Sequence, residues 1–161
     1  MKTEIISKLR KEHLKFISFA LDQKAEATAI SDMEGNLLFV NEAFASLHGF
    51  SPDELVGSHL SIFHNQEQIP DVVAAIWQLH EKGEFSGKLW HVRRDGVAFP
   101  CMTRCSIAHD ENGKPIGMIT MIQAISQSRR ARPLKRYNAG LGITQSGARN
   151  AWRNRIDGRQ A

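Results

Sequence analysis

Apolar positions recur along this chain with two different periods. Over residues 4–24, Ile6, Leu9, His13, Phe16 and Ala20 fall three and four apart, with Ile5, Ile17 and Leu21 alongside and charged residues between, which predicts an amphipathic helix. Residues 27–31 and 37–40 read as a short hairpin, turning at Glu34-Gly35-Asn36. Two brief helices are expected next. Asn41 caps the first, which stops at Gly49; Ser51-Pro52-Asp53-Glu54 opens the second, which ends by Gly57. Residues 58–68 read as irregular. Residues 69–82 form the longest helix of this region, between Pro70 and Gly83, with Val72, Val73, Ile76, Trp77 and His80 along one flank and Leu79 beside them. After Gly83 the period drops to two. Strands are expected over 85–93, 97–108 and 116–124, joined by turns at Arg94-Asp95-Gly96 and at Asp110-Glu111-Asn112-Gly113. The predicted fold class is α+β: a five-stranded antiparallel sheet with short helices on one face, preceded by the amphipathic helix. The two strand groups flank the helices in sequence, so the sheet closes by pairing the first strand with the last.

Composition supports a real core, since 42% of the 161 residues are hydrophobic. The net charge of +4 conceals an asymmetry. Residues 128–161 carry nine Lys/Arg and a single acidic residue, Asp157, whereas residues 1–127 hold twelve basic and sixteen acidic residues. The basicity therefore belongs to the end segment, and a global isoelectric point says nothing about the folded part. Three regions follow: a helix over 1–24 suited to dimerisation, a domain over 25–125, and a basic segment over 126–161 that lacks an apolar stripe and reads as disordered. No apolar run approaches the roughly 20 residues of a membrane span, and the N-terminus lacks a secretory pattern. Cytoplasmic placement is the expectation, and Cys101 and Cys105 form no disulfide framework.

The element order, with the stretch 32–57 reading DMEGNLLFVNEAFASLHGFSPDELVG, the hairpin RRDG at 93–96 and DENGKPIG at 110–117, resembles the PAS family of sensory domains, including its C-terminal PAC motif. The resemblance covers roughly residues 25–123. It implies a signal-transduction module, not an enzyme, that holds a small ligand or a protein partner and relays a conformational change. It also implies that a ligand would lie between the sheet and the long helix, that residues 4–24 pair two copies into a homodimer, and that the output is a two-component or transcription-regulating effector on a separate protein.

The resemblance makes Leu60, Trp77, His91, Cys101, Thr103 and Ile122 the pocket candidates. Blue-light flavin domains of this superfamily carry a reactive cysteine in a motif matched here by residues 57–64, where Leu60 stands in its place and can form no thiol adduct. A non-covalent flavin is compatible with the run from Ser86-Gly87 to Arg93-Arg94-Asp95. Haem fits less well: the oxygen-sensing type takes an axial histidine near position 72, which is Val72, while His80 lies two turns later and His64 falls in the irregular segment. The residues do not choose between these and a pocket without cofactor. Cys101 and Cys105 share a strand face but stand about 13 Å apart at a rise of ~3.3 Å per residue, too far to share one zinc ion with His91 through bonds of about 2.3 Å.

The sequence also bears on two other function classes. Arg129, Arg130, Arg132, Lys135 and Arg136, with Tyr137 and Trp152, would suit nucleic-acid binding by residues 128–161. For catalysis there is no phosphate-binding glycine loop and no nucleophile–base pair at a recognisable spacing.

Overall fold

The computed structural model describes residues 26–125. The helix expected over 4–24 and the basic segment over 126–161 lie outside these described residues. The chain begins with β1 (Ala27–Ser31) and β2 (Leu37–Val40), continues through α1 (Glu42–His48), α2 (Pro52–Leu55), two 3-10 turns (Leu60–Phe63 and Gln66–Gln68) and α3 (Ile69–Lys82), and ends in β3 (Glu84–Val92), β4 (Ala98–His109) and β5 (Pro115–Ala124). Among the described residues the strands form one antiparallel sheet in the order β2-β1-β5-β4-β3. The first and last strands pair in the centre, as the sequence requires: Ala27 lies opposite Ile122 and Ser31 opposite Met118. The segment read as irregular at 58–68 is instead two short 3-10 turns, which bury Leu60 and Phe63.

Local chemistry explains the helices. The Asn41 side chain ties three elements together. Its Oδ1 accepts from the Phe44 amide at the start of α1 and from the Thr28 amide of β1, both at 2.9 Å, while Nδ2 donates to the Glu26 carbonyl at 2.9 Å. Gly49 ends α1 at φ +83°, left-handed backbone that a side chain would strain. Ser51 and Glu54 form the expected capping box with Pro52 in the first turn. The hairpin at Arg93–Gly96 then clamps the end of α1: the Arg94 amide donates to the His48 carbonyl at 2.8 Å and the Arg93 guanidinium to the Leu47 carbonyl at 2.9 Å. The Arg93 bond is charge-assisted, and a cation favours this end of the helix.

The core lies between α1, the 3-10 turns and the sheet. Phe44, Ala45, Leu55, Phe63 and Cys101 are wholly enclosed, with Leu37, Met118 and Ile122 beside them. On α3 the buried stripe is Val72, Val73, Ala75, Ile76 and Leu79. Trp77 is 44% exposed and lines an open surface groove with Pro70, Val73 and Ala74, and Trp90 lies on the outer sheet face beneath the Lys88 ammonium. The buried positions Val72, Val73, Ala75, Ile76 and Leu79 fall within about half of the circumference at 3.6 residues per turn, and residue 77 lies outside that arc. His80, in the last turn, is exposed as well.

The β1–β5 junction depends on Gly117. A Cβ there would stand 2.6 Å from the Ser31 carbonyl oxygen, a backbone atom that cannot swing aside. Gly117→Ala is therefore expected to destabilise the protein by about 1–3 kcal/mol, seen as a lower urea midpoint at unchanged slope. An unchanged midpoint would mean that the two strands tolerate separation.

Candidate functional site

Period-two strands and a period-3.6 helix, laid face to face, leave an internal space. A cavity of about 60 Å³ lies between α3 and strands β3–β5. The helix supplies Val72, Ala75, Ile76 and Leu79, which are spaced so that they share one face. The strands supply alternate residues: Phe85, Leu89 and His91 from β3, Thr103 and Cys105 from β4, Met118 and Thr120 from β5. Leu60, Phe63 and His64 close the end nearest the 3-10 turns. The wall is mostly hydrocarbon, and among the described residues lining it there is no Asp, Glu, Lys or Arg.

Three histidines meet at that end. His48 is fully enclosed and His91 is 4% exposed. The Nδ1 of His48 lies 2.8 Å from the Phe44 carbonyl, and its Nε2 lies 2.9 Å from Nδ1 of His91. Nδ1 of His64 lies 3.0 Å from the Trp90 carbonyl, and its ring stands edge-on to His91 with centroids 4.7 Å apart. The Phe44–Phe63 edge contact, with Phe99 beyond it, surrounds His48 with aromatic carbon. Loss of hydration on burial lowers the pKa of His48 to about 4, against the opposing pull of the Phe44 carbonyl, and the nearby Arg93 cation pushes the same way as burial. Burial likewise brings His64 to about 4 and holds His91 well below the usual imidazole range, assisted by its two histidine neighbours. At neutral pH all three rings are uncharged.

The thiols are protonated as well. Burial pushes Cys101 up to about 11, and its Sγ donates to the Leu89 carbonyl at 3.5 Å; burial also raises Cys105, whose Sγ lies 3.3 Å from Thr120 Oγ1. Neither is an activated nucleophile.

Of the six residues proposed from sequence, Leu60, His91 and Thr103 line the cavity. Cys101 and Ile122 face the same side of the sheet but belong to the packed core. Trp77 points away into solvent, so it can neither fill the cavity nor stack on a ligand there. His64, placed in an irregular segment by the sequence, is ordered against the cavity. His48 was not anticipated; its signal was a histidine four residues after Phe44 on the buried side of a short helix.

A flavin needs far more room. Pockets for ligands of drug size span about 300–1,000 Å³, so an isoalloxazine ring enters only if α3 moves off the sheet; a haem requires more still. Position 72 is valine, and His80 is exposed, so α3 presents no imidazole to this space.

Comparison with known proteins gives a consistent result. Residues 25–127 match the PAS domain family. The bacterioopsin transcriptional activator of Halobacterium salinarum is 32% identical over 98 residues, which is 58% of this chain and 14% of that protein. The chain thus spans about one-seventh of that relative's length. The PAS domain of a protein from Colwellia psychrerythraea superposes with a TM-score of 0.64 at 20% identity, covering 70% of this chain and 96% of that one. A light-oxygen-voltage domain studied with a flavin analogue gives 0.60 at 20% identity, covering 67% and 83%. Among the described residues no helix is long and apolar enough to cross a membrane.

Proposed function

Because this chain belongs to the PAS domain family, we propose that it is a sensory module whose signal enters at the cavity beside His91 and leaves through the central strands. One observation carries this reading. Thr103, in the cavity wall, lies opposite Ile122 on β5, and Ile122 lies opposite Ala27 at the very start of β1. A single row of paired residues thus runs from the cavity to the strand ends where residues 1–25 and 126–161 join the domain. A molecule that displaces Thr103 displaces that row, and the flanking segments receive the movement. Such a relay requires two conformers separated by a few kcal/mol that the ligand binds unequally. The flanking segments would carry it onward, residues 4–24 by pairing with a second copy and a separate effector by docking on the pair. A transcription-regulating role, with nucleic acid held by residues 128–161, draws support from the charge of that segment and from the relative that is a transcriptional activator.

Xenon, which enters dry apolar cavities, tests the reading. Under xenon pressure, NMR signals of the Val72, Ile76, Leu79 and Met118 methyl groups are expected to shift, and amide shifts are expected to extend through Thr103 and Ile122 to Ala27. Shifts confined to the cavity wall would show a packing void with no transmission.

A further inference from the structure

The direction of each bond in the histidine network fixes which hydrogen-bonding group the cavity accepts. A carbonyl oxygen can only accept, so the 2.8 Å contact with Phe44 places the proton of neutral His48 on Nδ1. Its Nε2 is then a lone pair. The 2.9 Å contact with His91 must be donated by Nδ1–H of His91. Neutral His91 has one proton to give, and it is given there, so Nε2 on the far side of the ring is a lone pair too. His91 lines the cavity and is nearly inaccessible from outside. One carbonyl in α1 thus sets the polarity of the cavity two rings away.

We infer that the cavity takes a compact, uncharged, mainly apolar molecule, smaller than benzene, that donates one hydrogen bond to Nε2 of His91. This rests on the sensory reading above and specifies its ligand class. Size follows from volume: an apolar cavity of about 150 Å³ accommodates benzene, and this one has about 60 Å³. Neutrality follows from the wall, where among the described residues no charged side chain could compensate an ion removed from water. The donor requirement follows from the lone pair. A molecule offering only an acceptor would leave it buried and unpaired, at a cost of about 1–3 kcal/mol. The smallest alcohols belong to this class.

Methanol and fluoromethane are nearly isosteric, one with an O–H donor and one with no donor. Titrated into the full chain at pH 7.5 and followed through Met118 and Leu79 methyl shifts, methanol is expected to bind at least about tenfold more tightly, since about 1.4 kcal/mol is a factor of ten. It should also move the Nε2 signal of His91 in a long-range proton–nitrogen spectrum. Equal binding by the two molecules would overturn the donor rule while leaving the cavity as a binding site. Binding of neither would overturn the rule and the sensory reading of the cavity together. The same spectrum without ligand needs no variant: His91 protonated at Nδ1 supports the inference, and His91 protonated at Nε2 overturns it.

Discussion

Phe44→Ala is expected to lower the unfolding free energy by about 3–5 kcal/mol, a large share of the 5–15 kcal/mol, roughly, available to a domain of this kind. Phe44 is wholly enclosed, its ring 4.5 Å from His48 and 5.2 Å from Phe63 between centroids. Truncation removes the transfer energy of a benzyl group and leaves a hole that three neighbouring elements cannot all close. Urea unfolding of Phe44→Ala measures the loss. Phe44→Leu should retain much of the stability, and Trp77→Ala, on the exposed side of α3, should change it by no more than about 0.5 kcal/mol. A Phe44→Ala variant within about 1 kcal/mol of the parent would mean that the aromatic cluster is not the centre of the core.

Acid should act on the same cluster. In the unfolded chain a histidine titrates near 6.5, whereas folded His48 titrates at about 4 and His64 at about 4. Between those values the unfolded chain binds more protons than the folded one, so stability falls as pH is lowered through this window and is fully present above it. His48 alone, with its ring enclosed, accounts for roughly 3 kcal/mol over the full interval. Unfolding measured in steps from pH 7.5 to 4.5 should therefore show a steep decline below about 6.5, and His48→Gln should flatten it. A stability that does not change across this range would contradict the burial of uncharged rings.

The sequence carried most of the fold because most of it is written in local rules. The alternation after Gly83, the Asn41 cap, and the Ser51-Pro52-Asp53-Glu54 start each reappear in the structure. The helix over 69–82 also has the expected bounds, but its rotation does not follow from apolarity: Trp77 is large and apolar, yet the buried stripe runs through small Ala75 instead. Period two tells which face of β4 a residue shares, and it puts Cys101 and Cys105 on one face. It does not tell how far along the strand α3 crosses. That crossing point gives the cavity Thr103 and Cys105 and gives Cys101 to the core. The histidine network is less legible still. Its members come from α1, the end of a 3-10 turn and β3, and the His48–His91 bond joins residues 43 apart. Such contacts arise only from tertiary packing, and no short-range pattern announces them.

Helix α3 and strands β3–β5 surround a compartment in which a small molecule should meet His91. A crystal of the full chain soaked with methanol tests this most directly. Electron density is expected for one methanol molecule among Ile76, Leu89 and Met118, with its oxygen at hydrogen-bond distance from Nε2 of His91. Density confined to the open groove beside Trp77, or an unaltered cavity, would contradict it.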